Sequence, residues 1–414
     1  MNYLFNKTLF FLLILQLFVY ISYAQDITTE SLKKHIGFLA GDKLKGRGTS
    51  SREETIAAKY IAKEFKKLKL QPEGTKGYFQ PFTFKYNSNP HDSSTVNAVQ
   101  RKGTNVIGYL DNNAPTTIII GAHYDHLGLG KDHNSLDANP ENKIHNGADD
   151  NASGVAGVLE LANYYASNNV KEKNNYLFIC FSGEELGLIG SKKFTESPTI
   201  SLKDVNCMIN MDMIGRLNDT LPKIMIYGVG TAPDFVPIID GFRSQIKVKM
   251  DSSGIGPSDQ TSFYLKDIPV LHFFTGQHSD YHKPSDDAEK INYEGEKTVL
   301  EYIVNVISEI EKRPKLKFIP TRNPDTGKKS FKVTMGVMPD YAFEGNGMRI
   351  DGVTEGKPAF KAGLKKGDVI IRLGKNNVAN VQDYMKALNQ CSRGQQVIVK
   401  VLRDGAEQEM SVTF

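Results

Sequence analysis

Five apolar runs of strand length, at 117–120, 176–181, 205–210, 224–227 and 269–274, punctuate the middle of this sequence. Segments of helical period, such as 154–166 and 298–310, separate most of them. Strands that lack polar alternation are buried on both faces, and helices between them provide the cover. The expected fold class is therefore α/β, a mostly parallel mixed sheet flanked by helices. Upstream, Leu32, Ile36 and Leu39 repeat at helical spacing, as do Ala57, Ile61, Phe65 and Leu68. A Gly-rich polar loop at 41–51 lies between those two helices, and 79–86 and 105–110 read as strands.

A chain of 414 residues exceeds one ordinary core. Residues 1–24 have the form of a signal peptide: Lys7, an apolar run over 9–21 broken by Gln16, then Ser22-Tyr23-Ala24. Export to the periplasm or beyond the cell follows, with no stable membrane span after cleavage. Residues 25–312 make the main domain. Residues 313–330 carry prolines and basic residues without periodicity and read as a linker. Residues 331–414 form a smaller β-rich block with one clear helix at 381–389. The net charge of +4 gives no reason to expect nucleic acid as a partner. Lys63, Lys66, Lys67 and Lys69 read as a solvated helix face. Of the three cysteines, Cys180 and Cys207 fall in apolar runs and read as buried thiols. The sequence leaves a disulfide between those two open, and Cys391 stands alone in its domain.

Chemistry gathers after the strands. One run leads into His123-Tyr124-Asp125, the next into Glu184-Glu185, the next into Asp212, and the last into His278, Asp280 and His282. Ligands of open α/β sheets bind beyond the carboxyl ends of strands. Asp149-Asp150 adds a carboxylate at a turn before a helix that Asn151 or Ser153 would cap. Imidazole and carboxylate without thiolate suit Zn²⁺. Three carboxylates and two histidines fill two sites if one carboxylate bridges, with the ions roughly 3.5–4 Å apart. One member of the Glu184-Glu185 pair then ligates, while the other takes a proton from the attacking water. Asp125 is placed to accept the second N–H of His123 and orient it.

These segments resemble, in order, the secreted co-catalytic zinc aminopeptidases, the family of bacterial leucyl aminopeptidases. The similarity extends over 28–312 and rests on His123-x-Asp125, 147–154, Glu184-Glu185-x-Gly187, Asn210-Met-Asp212 and Tyr281-His282-x-x-x-Asp286. It implies two Zn²⁺ ions per chain and peptide substrates. Asp150 would bridge, with Glu185 and His282 on one ion and His123 and Asp212 on the other. The resemblance also makes Glu184 the base, Tyr281 the phenol that stabilises the oxyanion, and Asp149 structural. His126, His133, His145 and His278 are expected to stand outside the ligand set, although His278 is near enough to His282 to compete with it. Gln260 stands where the family often has His, which bears on substrate preference. Two other readings are a glutaminyl cyclase-like enzyme with one zinc and a peptide-binding protein on a non-catalytic peptidase scaffold.

The block 331–414 resembles a PDZ domain. Met335-Gly336-Val337-Met338 would be its carboxylate-binding loop, and 358–370 carries the most specific part of the match. The resemblance implies a groove for the C-terminus of a peptide ligand.

Overall fold

A computed structural model of the chain describes residues 26–86, 99–132, 134–242, 244, 246–321, 333–339, 343, 345–353, 356–379 and 381–414. The signal segment 1–24 and residues 322–330 of the linker therefore lie outside the described residues, as does His133.

The main domain opens with helices α1 (Thr29–Leu39) and α2 (Arg52–Lys67). The Thr28 hydroxyl accepts from the Ser31 N–H, and the Ser51 hydroxyl accepts from the Glu54 N–H, so a side chain caps each first turn. Then come β1 (Gln71–Pro72), β2 (Phe79–Tyr86), β3 (Val99–Leu110), β4 (Thr116–His123), α3 (Gly154–Ser167), β5 (Asn174–Phe181), α4 (Ile189–Glu196), β6 (Val205–Met211), β7 (Lys223–Tyr227), α5 (Phe235–Asp240), β8 (Lys247–Asp251), α6 (Gln260–Tyr264), β9 (Val270–Phe274) and α7 (Tyr293–Glu311).

These strands form one sheet in the order β1-β3-β5-β4-β6-β9-β7-β8, with β2 on β3. The sheet is mixed. The central strands β5, β4, β6 and β9 run parallel, whereas β3 meets β5, and β7 meets β9, antiparallel. Alternation along the strands fills two cores. Ile118, Ile120, Phe178 and Ile209 face α1, α2, α3 and α7, while Ile119, Leu177, Ile179 and Met208 face Phe194 of α4 and Phe263 of α6. Both faces are covered, which is why these strands read as unbroken apolar runs. Cys180 and Cys207 are free and buried. They stand on β5 and β6, with β4 between them. Two strand spacings of about 4.8 Å exceed the reach of a disulfide.

The second domain contains β10 (Val337–Pro339), β11 (Met348–Val353), α8 (Pro358–Lys361), β12 (Val369–Leu373), β13 (Asn376–Asn377), α9 (Val381–Leu388), β14 (Gln396–Arg403) and β15 (Ala406–Thr413). Its sheet runs β10-β11-β12-β14-β15 around a separate core that includes Met335, Ile350, Ile370 and Val399. Arg403 grips the buried Asp368 carboxylate from two nitrogens at 2.6 and 2.7 Å.

Residues 313–321 of the expected linker are docked on the first domain. Leu316 is buried, and its N–H donates to Asn206 at 2.8 Å. The Ile319 N–H donates to the Thr231 carbonyl at 2.8 Å, and the Thr321 N–H to the Tyr264 hydroxyl at 2.9 Å.

Candidate metal centre

The four parallel central strands direct their carboxyl ends to one edge of the sheet, and each delivers part of the site. Strand β4 ends on His123, β5 leads to Glu184 and Glu185, β6 leads to Asp212, and the loop after β9 carries Tyr281 and His282. Asp150 comes from the tight turn Ala148–Ser153 that enters α3. Gly147, just before it, has φ 57°, and a Cβ there would collide with the Asp150 carbonyl. Asn151 ties this turn to the end of β6. Its Oδ1 accepts from Gly154 at 2.9 Å and Met213 at 3.2 Å, and its Nδ2 donates to the Met211 carbonyl at 3.0 Å.

The two oxygens of Asp150 face different partners. Oδ1 lies 3.4 Å from His123 Nε2, which is also 3.4 Å from Asp212 Oδ1. Oδ2 lies 3.2 Å from His282 Nε2, which is 3.2 Å from Glu185 Oε2. The second nitrogen of each ring is occupied. His282 Nδ1 is 2.8 Å from the Asn134 carbonyl, and His123 Nδ1 is 3.2 Å from the Asp125 carbonyl. Donation there leaves the Nε2 lone pairs free to ligate. Glu184 Oε2 stands apart, 3.9 Å from His123 Nε2.

Electrostatics bind these groups together. Burial opposes charge on His123 and His282. Even so, Asp212 and Glu184 raise the first ring, and Glu185 with Asp150 the second, well above the ordinary imidazole range. Burial also disfavours charge on Asp150, but the neighbouring imidazoles hold its carboxyl well below the usual range. Burial, with help from Asp212 and Glu185, holds Glu184 well above it despite His123. Burial keeps the Tyr281 phenol protonated far beyond neutral pH.

A metal fits this donor set. The ligand atoms of His123, Asp150 and Asp212 lie within 4.8 Å of one another, as do those of His126, Asp150 and Glu185. Asp150 Oδ2 and His126 Nε2 are buried without a hydrogen-bond partner. Buried carboxylates at this density call for cations.

Residues 105–307 match the sequence profile of peptidase family M28, and residues 327–414 match that of the PDZ domain. This chain is an M28-family peptidase domain joined to a PDZ domain. It is 28% identical over 195 residues to leupeptin-inactivating enzyme 1 of Streptomyces exfoliatus, a stretch covering 45% of this chain and 39% of that protein. It is 33% identical over 135 residues to leucine aminopeptidase 1 of Fusarium vanettenii, covering 32% of each. The chain thus spans less than half the length of these relatives. In fold it is similar to the aminopeptidase of Aneurinibacillus sp. strain AM-1, with a TM-score of 0.55 at 19% identity over 73% of this chain and 97% of that one. A glutaminyl cyclase of Bacteroides thetaiotaomicron has the same TM-score, at 17% identity over 68% of this chain and 98% of that one.

Within the M28 domain, several histidines have settled partners. His278 Nε2 lies 3.1 Å from Asp149 Oδ2, away from the Asp150 oxygens. Asp149 Oδ1 also accepts from the Gly215 N–H at 2.7 Å. His145 is engaged by Ser135 and the Lys143 carbonyl. His126, set aside by the sequence reading, stands inside the site, its Nδ1 2.7 Å from Glu185 Oε1. The Asp125 carboxylate is 3.8 Å from His123 Nδ1. It accepts instead from Thr49 Oγ1 at 2.7 Å and from the Glu184 N–H at 3.1 Å, so it positions the Glu184 backbone directly. Gln260 is buried, with its Oε1 accepting from Asn210 at 3.1 Å.

Sequence reasoning missed Arg47. It is fully buried and donates to the carbonyls of Tyr124 at 2.8 Å, Leu39 and Asn146 at 2.6 Å, and Gly147 at 3.0 Å. It thereby joins the segment after His123 to the turn before Asp150. Its signal was an arginine between two glycines in a loop read only as polar.

Glu54 braces the other side. Its carboxyl accepts from the Ser50 N–H at 2.7 Å and from the Ser182 hydroxyl, next to the Glu184 segment. Burial, reinforced by Asp125, pushes it up to about 8 against the hydrogen bonds. The folded state therefore keeps a proton that the unfolded chain sheds near pH 4.5. That contribution is complete below the unfolded value and is lost as pH rises to about 8. Across this window Glu54→Gln should gain on the parent by an amount on the order of 3–5 kcal/mol. Thermal melts of both proteins at pH 5 and pH 8 check this, and a constant difference in Tm refutes it.

Proposed function

We propose that this protein is an exported aminopeptidase that removes N-terminal residues from peptides with two Zn²⁺ ions per chain. The observation that carries the reading is Asp150, whose two oxygens face two separate imidazole–carboxylate pairs. His123 and Asp212 would hold one ion, and His282 and Glu185 the other. When bound, the ions supply Lewis acidity that polarises the scissile carbonyl and eases ionisation of water. Glu184 takes the proton from the attacking water and passes it to the leaving amine. The protonated Tyr281 donates to the carbonyl oxygen as it gains charge. His126 holds the Glu185 carboxylate in orientation through its 2.7 Å contact.

The cavity above these groups has a volume of about 220 Å³. That is below the roughly 300–1,000 Å³ of sites for drug-sized ligands. It suits one side chain better than a long stretch of peptide, which favours an exopeptidase. The shared fold of the glutaminyl cyclase raises the second reading, a cyclase with a single zinc. His123 and Asp212 beside Asp150 favour two ions instead.

Metal analysis with a product assay decides between them. The purified protein should carry two zinc ions per chain and release aniline from aminoacyl anilides. Chelation should abolish this release, and added zinc should restore it. One zinc per chain, with ammonia released from glutaminyl peptides, would establish the cyclase instead.

A further inference from the structure

We propose that strand β10 of the PDZ domain forms one wall of the substrate pocket, where Val337 and Pro339 pack against the apolar side chain of the substrate's N-terminal residue. The inference rests on the aminopeptidase reading and extends it to the second domain.

One continuous cavity is lined by Glu184 and Tyr281 of the M28 domain and by Val337 and Pro339 of the PDZ domain. The remainder of its apolar lining includes Leu136, Met213, Tyr227 and Phe274. A pocket built only by the peptidase would end at those side chains and open beyond them. Strand β10 borders that opening. It is the edge strand of its sheet and pairs with β11 alone among the described strands, so its other edge carries no partner strand. Its pairing register with β11 shifts between Met338 and Pro339, and Val337 and Pro339 both border the cavity. Neither brings a charge, so the wall they make suits an aliphatic or aromatic side chain.

The wall is held by contacts on the first domain. Lys249 Nζ donates to the Phe343 carbonyl at 2.9 Å, between the two domains. Residues 313–321, which lead toward the PDZ domain, are pinned by the hydrogen bonds of Leu316, Ile319 and Thr321. In a cavity of about 220 Å³, the bulk of one wall residue decides which side chain fits. A methylene gained or lost in such a pocket changes kcat/KM by about 10–200-fold.

The test uses the full chain with zinc, and a series of aminoacyl anilides with one leaving group and Ala, Leu or Phe as the amino acid. Val337→Trp should lower kcat/KM for Leu and Phe by about ten-fold or more relative to Ala. Val337→Ala and Pro339→Ala, which are milder changes, should move the Phe-to-Ala ratio the opposite way. An active parent whose ratios stay fixed in all three variants overturns the inference and leaves the aminopeptidase reading intact. Equal losses on every substrate also overturn it, since they mark a structural role. A zinc-loaded parent that cleaves no anilide overturns the aminopeptidase reading, and this inference falls with it.

Discussion

Glu184→Gln should retain both zinc ions and lose turnover by about 10²–10⁴-fold, the range general acid–base catalysis supplies. The expectation follows from where this carboxyl stands. Its Oε2 is 3.9 Å from His123 Nε2, and it belongs to neither cluster of convergent ligand atoms. An amide of the same shape leaves His123, Asp150, Glu185, Asp212 and His282 untouched and keeps the backbone N–H that Asp125 accepts from. What it cannot do is carry a proton from water to the leaving amine. Zinc content and kcat on a leucyl anilide, measured on one preparation, read the two effects separately. Turnover near that of the parent sinks the base assignment. Loss of one zinc would instead make Glu184 a ligand.

The strand ends were legible because both faces of the central sheet are covered. Six consecutive buried apolar residues of β5, from Tyr176 to Phe181, make a run that ends abruptly at the carboxyl edge of the sheet. Polar residues immediately beyond such runs stand out. Strand β8 was not legible, because Lys247, Lys249 and Asp251 alternate along a half-exposed edge of the sheet and suppress the apolar signal. Apolar runs reveal burial and not direction, so they do not say which strands of the mixed sheet depart from the parallel centre; β3 and β7 flank it antiparallel. His126 and Arg47 were missed because their roles arise from distant contacts. The contact of His126 with Glu185 spans 59 residues, and that of Arg47 with Gly147 spans 100. The approach of Val337 to the cavity is of the same kind. It depends on how one domain rests on another, which no local pattern encodes.

Arg47 carries the second large expected effect. It is the only fully buried lysine or arginine among the described residues. Burial disfavours charge on its guanidinium and lowers it to about 10, while the carboxylates of Asp125, Asp150, Asp286 and Glu185 favour the charged form. Arg47→Met fills a similar volume but leaves four carbonyls without their donor and the carboxylates without that charge. Removing one partner from a buried charged network costs about 3–5 kcal/mol, which in a domain of this size lowers Tm by roughly 5–8 °C. Arg47→Lys is the sharper probe. Its ammonium keeps the charge but offers three donors where four carbonyls wait, and it lacks the planar fork that reaches them together. The lysine variant should therefore fold with a smaller loss of Tm. Melts repeated with a chelator separate the two contributions, because bound zinc stabilises the folded state by mass action and offsets the missing charge. The methionine variant should suffer more than the lysine variant when zinc is withdrawn. If both variants melt with the parent, with and without chelator, Arg47 does not brace this site.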